Sequence, residues 1–128
     1  MRTSTEHALP PAVAVVAADR RVRDSLVSLL TASGAARLVG TAGDAAAAVH
    51  LVSGSETDVV IVDRDLANGG SGGTLLPRLR RSAPGVRILV IDWDADPATG
   101  LPPGADRVLD LSDQPAALLE ALVTAGGD

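Results

Sequence analysis

The sequence predicts a doubly wound α/β domain: a five-stranded parallel sheet with helices on both faces. Three observations predict it. Asp58-Val59-Val60-Ile61-Val62-Asp63 is a β-branched apolar run with an acid at each end, the pattern of a strand buried on both faces. Apolar runs alternate with stretches of helical spacing, and short right-handed crossovers turn that alternation into a parallel sheet. Ala, Val and Leu supply nearly all the apolar residues, with no Phe, no Tyr and one Trp. Small side chains of this kind require helices to lie close on a sheet. At 128 residues the chain has the length of one domain.

The elements follow in order. Met1 to Pro11 is polar, ends in two prolines and reads as a flexible N-terminal arm; residues 12–125 read as a single domain. Ala12 to Ala17 is a buried strand. Arg20 to Ser33 places Val22, Leu26, Leu29 and Leu30 at helical spacing, with Asp19 as N-cap and Gly34 as stop. Arg37 to Thr41 is the second strand. Asp44 caps an alanine-rich helix that runs to about Ser53 and stops at Gly54. The central strand spans Asp58 to Val62 and delivers Asp63 to the carboxyl edge of the sheet, where open α/β folds keep their sites. A plainer role is equally open to Asp63: it ends the strand and caps the next turn.

Asn68-Gly69-Gly70-Ser71-Gly72-Gly73 carries four glycines in six residues and holds no regular element. A helix begins near Thr74, tolerates Pro77 in its first turn, and ends before Ala83-Pro84-Gly85. Arg87 to Ile91 is the fourth strand and Arg107 to Leu109 a short fifth. Ser112 or Asp113 caps a last helix with Leu118, Leu119, Leu122 and Val123 inward. The spacing gives strand order 2-1-3-4-5, the flavodoxin-like order. Between the fourth and fifth strands, Trp93 to Gly104 holds three prolines and two glycines. A normal helix is excluded there, so the fourth covering helix is missing or shortened.

Composition excludes several functions. The net charge of −5 argues against nucleic-acid binding by this domain itself. The chain has no cysteine, which removes disulfides and thiolate metal sites. All eleven basic residues are Arg, and there is no lysine. The apolar stretch from Ala12 is too short for a membrane span and is followed at once by Asp19-Arg20-Arg21. It reads as a strand in a cytoplasmic protein, not a targeting segment or an anchor.

With the sheet laid out, the residues resemble a response-regulator receiver domain of CheY-like fold, from about Val13 to Val123. Val22-Arg23-Asp24-Ser25-Leu26 is similar to that family's first helix. The Asp58–Asp63 run is similar to its third strand, with the phospho-accepting aspartate at Asp63. Gly104-Ala105-Asp106 is similar to the turn before its fifth strand. Val39-Gly40-Thr41-Ala42-Gly43-Asp44 and Ala83-Pro84-Gly85-Val86-Arg87 resemble the NarL/FixJ class of transcriptional regulators.

The resemblance also implies a damaged site. The family holds Mg²⁺ with an acidic pair after the first strand; those positions are Ala17 and Ala18, which offer no carboxylate. Asp19 comes one residue later and is expected to point into the first helical turn. The hydroxyl position at the end of the fourth strand falls on Asp92. The switch aromatic is replaced by Val108, and the phosphoryl-pairing lysine by Leu111. Phosphoryl transfer depends on metal, lysine and hydroxyl to cancel oxygen charge. The resemblance therefore implies an atypical, pseudo-receiver domain that is not an enzyme, with Asp63 inactive as an acceptor and no metal cofactor.

Other constellations are weaker. Asp63, Asp65, Asp92 and Asp94 converge on one edge but read as solvated strand-end acids rather than a cation site. The Gly69–Gly73 loop lacks the ending of a P-loop. Arg78, Arg80 and Arg81 read as a solvated helix face. His7 and His50 are too remote to act together. Trp93 and Leu101 are candidate ligand or interface residues beside the missing helix, where an uncovered apolar strip invites self-association or a small effector. The expected function is phosphorylation-independent regulation of a transcriptional output, through a protein partner, a homodimer or a small-molecule effector. No output domain is legible, so the chain reads as a fragment of a longer regulator or a stand-alone adaptor. Two rivals remain: a phosphorylatable receiver using Asp63 in a two-component phosphorelay, and a small-ligand-binding module on the same sheet.

Overall fold

The β-branched run at the centre of the sequence becomes the central strand of the sheet. The computed structural model describes residues 10–34, 36–68, 75–92, 104–110 and 118, with residues 67, 68 and 110 described by backbone alone. In chain order the elements are β1 (Ala12–Val16), α1 (Arg20–Ser33), β2 (Arg37–Ala42), α2 (Ala45–Ser53), β3 (Val59–Asp63), α3 (Arg64–Asn68), α4 (Leu75–Ser82), β4 (Arg87–Asp92) and β5 (Arg107–Asp110). The strands are parallel and lie in the order β2-β1-β3-β4-β5, as the spacing predicts.

Every residue of β1 and β3 is buried, because each has a strand on both sides and helices on both faces. Side chains alternate between two cores. Ala14, Val16, Val60, Val62, Ile88 and Val90 pack with α2 and α4. Val13, Val15, Val59, Ile61, Leu89, Ile91 and Leu109 pack with Leu26 and Leu30 of α1 and with Leu118. Each fully buried Val, Leu or Ile contributes about 1.5–3 kcal/mol relative to exposure. Leu118 is helical and fully buried; the rest of the expected last helix lies outside the described residues, as does the stretch from Trp93 to Pro103 with its expected missing helix.

The capping signals act as read. Asp19 Oδ1 accepts from the Arg21 N–H at 2.8 Å, and Gly34, at φ 69°, closes α1. Asp44 Oδ1 accepts from the Ala47 N–H at 2.8 Å and starts α2. The arm expected over residues 1–11 is tied at its end, where the Pro10 and Pro11 carbonyls accept from the Nε and backbone N–H of Arg37; residues 1–9 lie outside the description.

Three corrections bear on the site. β3 and β4 each run one residue further than the expected Val62 and Ile91, so Asp63 and Asp92 are the last residues of their strands. α3 was not expected: the turn after Asp63 closes into a short helix because the Asp63 carboxylate accepts from the Asp65 N–H at 3.0 Å. Arg80 is only partly solvated and does more than line an exposed face. It donates to the carbonyls of Val86 and Gly104 and to the Asp106 carboxylate, fastening α4 to the ends of β4 and β5.

Candidate functional site

The carboxyl edge of the sheet gathers the chemistry. β3 ends at Asp63, in register with Ile91, so Asp92 emerges one residue later on the neighbouring strand. Asp63 is 7% exposed, the buried acid of an otherwise apolar sheet centre. Burial pushes its carboxyl above the ordinary carboxylate range; the Asp65 N–H opposes this, while the charges of Asp65, Asp92 and Asp19 push it further up. Asp63, Asp65 and Asp92 therefore do share one edge, joined by Asp19; Asp94 lies outside the described residues.

Asp19 caps α1, as expected, and still lies near enough to act on Asp63. The side chain of Ala17 is fully buried and that of Ala18 exposed. Neither offers an oxygen to the pocket, and their carbonyls are occupied: Arg23 Nη1 donates to Ala17 O at 2.8 Å and to Ala18 O at 3.1 Å. The guanidinium rests on Gly43, where a Cβ atom would lie 2.7 Å from Nη1. Val108 is half-buried and packs on the α2 and α4 side of the sheet. Leu111, Trp93 and Leu101 lie outside the described residues.

Two functional residues escaped the sequence reading. Arg64, the first residue of α3, sends Nη1 to Asp92 Oδ2 at 3.1 Å, with both side chains largely buried. Asp92 therefore does not face the pocket as a bare carboxylate. The signal was present in the sequence: a basic residue directly after the strand-end acid, and an acid at the end of the adjacent strand. Arg23 was legible only as a helix residue. Its position one turn after Asp19 is what lets it reach back to the end of β1.

A cleft of about 380 Å³ lies at the opposite edge, lined among others by Arg37, Glu56, Thr57 and Asp58. Two of its charged groups serve the fold: Asp58 accepts from the Ala12 N–H and Arg37 donates to Pro10. Among the described residues, no group of three or more His, Cys, Asp or Glu is placed to hold a metal ion. No helix among them is long and apolar enough to cross a membrane.

Comparison with known proteins agrees with this geometry. The family model of the response regulator receiver domain matches residues 13–122. Among solved structures, the chain is similar to a protein of Burkholderia pseudomallei K96243 described as pilus assembly-related, at 27% identity, TM-score 0.75, covering 93% of this chain and 91% of that one. It is similar to the signal receiver domain of an HD domain-containing protein from Pseudomonas fluorescens Pf-5, at 27% identity and TM-score 0.74, covering 91% and 94%. It is also similar to the signal receiver domain of NarL from Mycobacterium tuberculosis, at 25% identity and TM-score 0.75, covering 91% and 96%. No curated protein matches.

Proposed function

Because the chain belongs to the response regulator receiver domain family, we propose that it is an atypical receiver whose output does not depend on phosphorylation of Asp63. One observation carries this: among the described residues, the buried Asp63 shares its edge with further acids, Asp65, Asp92 and Asp19. A phosphoryl group there would add negative charge to a buried acidic corner. The groups that ordinarily cancel that charge are a metal, a lysine and a hydroxyl. The residues present do not fit Mg²⁺. Positions 17 and 18 carry methyl groups, and the Arg23 guanidinium covers their carbonyls, while a hard divalent cation requires oxygen ligands. The chain has no lysine, and the hydroxyl position is the ion-paired Asp92.

The domain then acts as a cytoplasmic, non-enzymatic signalling module, through contacts with a protein partner, with a second copy of itself, or with a small effector. A transcriptional output is supported by the NarL/FixJ-like segments and by the similarity to the NarL receiver. The net charge of −5 favours contact with proteins rather than nucleic acid.

The alternative, a phosphorylatable receiver, is favoured by the seating of Asp63 itself, at the end of β3 on the carboxyl edge. Incubation with acetyl phosphate and Mg²⁺, read by intact mass, separates the two. We expect no added phosphoryl mass and no shift of backbone resonances with beryllofluoride. A stable aspartyl-phosphate on Asp63 would restore the phosphorelay reading.

A further inference from the structure

The amino-terminal edge of the sheet, at the far end from Asp63, gathers charges of both signs that do not meet. The cleft there holds about 380 Å³, within the range of small-molecule sites, roughly 300–1,000 Å³. Its lining comes from separate parts of the chain: Arg37 at the start of β2, Glu56, Thr57 and Asp58 in the turn before β3, and Ser82 at the end of α4. Arg37 donates its Nε to Pro10 O, and Asp58 accepts from the Ala12 N–H with Oδ2. Among the described residues, the Arg37 Nη groups, Asp58 Oδ1 and the Glu56 carboxylate form no further bond, and no ion pair joins Arg37 to either acid. Thr57 Oγ1 is buried and has no hydrogen-bond partner among them, a state that a native fold ordinarily avoids because an unpaired hydroxyl keeps its full desolvation cost.

We propose that this cleft binds a small zwitterion, a molecule such as a free amino acid with a carboxylate and an ammonium group on one short chain. The carboxylate goes to the Nη groups of Arg37, whose planar fork suits it. The ammonium goes to Glu56 and to the open oxygen of Asp58. Each simpler ligand meets an objection in the same lining. A plain anion faces two carboxylates, and a plain cation faces Arg37. A flat aromatic ligand finds no aromatic side chain among the described lining residues to stack on. An apolar ligand would strip water from the charges and leave them unpaired. Thr57 supplies a neutral polar contact, its Oγ1 reaching the occupant by a step in χ1. Arg37 and Glu56 are exposed, so each charge contact is partly screened and the affinity lies in the millimolar range. Once bound, the zwitterion ties the start of β2 to the turn before β3. The inference rests on the small-effector form of the proposed function and gives that effector a place and a chemistry.

The test titrates the chain with free glycine, β-alanine, γ-aminobutyrate and ε-aminocaproate, which separate the two charges step by step, and follows the backbone amide resonances. Butyrate and butylamine, each carrying one of the charges, are the controls. At least one member of the series is expected to shift the amides of Arg37 and of residues 53–58 saturably. It should bind about fivefold more tightly than either control, the worth of one further exposed charge contact. Glu56→Gln and Arg37→Gln are each expected to weaken that ligand about fivefold, toward the level of a control. Glu56→Gln removes no bond of the fold among the described residues, and the amides of β1 and β3 report that both variants are folded. The site is overturned if no member of the series shifts these amides saturably, if either control binds as tightly as the best zwitterion, or if either variant binds it as the wild type does. Acetyl phosphate reads the other end of the sheet, so a phosphorylated Asp63 would refute the phosphorylation-independent reading while leaving this titration to stand or fall by itself.

Discussion

Arg80 and Asp106 meet at 2.8 Å, and the pair joins α4 to the turn that leads into β5. Asp106 Oδ2 accepts from the Ile88 N–H at 2.8 Å as well, so one carboxylate ties a helix to two strands. Arg80 completes the fastening by donating to Val86 O and Gly104 O. Gly104 itself sits at φ 92°, with the position of a Cβ only 3.0 Å from Leu76 Cβ. The Gly-Ala-Asp sequence is therefore a mechanical part: glycine for a left-handed turn against α4, aspartate for the charge that holds it.

Asp106→Ala is expected to destabilise the fold by about 1–2 kcal/mol, chiefly by leaving the Ile88 N–H without its acceptor. The ion pair with Arg80 adds less, because both side chains are more than one-third exposed and solvent screens them. Burial acts to raise the Asp106 carboxyl, but the bonds from Arg80 and Ile88 together hold it below its ordinary value. Its contribution is thus present above about pH 4 and lost as pH falls through the depressed folded value. Denaturant unfolding of wild-type and Asp106→Ala should converge in acid; parallel curves would mean that the charge of Asp106 is irrelevant.

The sheet was legible because its strands carry their signal locally. The run Val59 to Val62 is apolar at every position, and a strand with that pattern has few places to go except the middle of a parallel sheet. Caps such as Asp19 and Asp44 are equally local. The candidate site was half legible. Asp63, Ala17 and Ala18 follow from position along the strands, but Arg64–Asp92 spans 28 residues and Arg80–Asp106 spans 26. Such pairs are set by strand register, which a linear reading does not rank. The helix after Asp63 is not legible for a different reason: five residues are too few to show a period, although the turn-capping role open to Asp63 is the one its bond from the Asp65 N–H fulfils.

Gly43 and Arg23 are expected to behave as one unit. Gly43→Ala places a methyl group where the Arg23 guanidinium now lies and displaces it from the carbonyls of Ala17 and Ala18. Loss of those two bonds should cost about 1–2 kcal/mol, and Arg23→Ala a similar amount. In the Arg23→Ala background, Gly43→Ala should be nearly neutral. A double-mutant cycle by urea unfolding measures this; full additivity would show that the glycine serves its own backbone instead.

Restoring the acids at positions 17 and 18 should restore metal binding without restoring phosphate-driven switching. Ala17→Asp with Ala18→Asp supplies two oxygen ligands beside Asp63, and Mg²⁺ should then raise the melting temperature in proportion to its occupancy. A phosphoryl group would still meet Asp92 and find no lysine in the chain. Mg²⁺ titration by thermal shift, followed by acetyl phosphate and intact mass, checks both halves. Full activation of the double variant by acetyl phosphate would show that lysine and hydroxyl are dispensable here.

Asp63→Asn should stabilise the domain at neutral pH. Folding raises the Asp63 carboxyl above its ordinary value, first through burial and then through Asp65, Asp92 and Asp19. A raised carboxyl favours the fold in its protonated form: its stabilisation is present below about pH 4 and lost as pH rises through the raised folded value. At pH 7 the ionised group is therefore a cost that the Asp65 N–H offsets only in part. Asparagine keeps an oxygen for that N–H and carries no charge, so the variant should gain on the order of 1 kcal/mol at pH 7. The gain should shrink steadily on acidification. Denaturant unfolding across pH 4 to 8 reads the difference directly. A loss of stability at pH 7 would mean that ionised Asp63 is already matched by a cation.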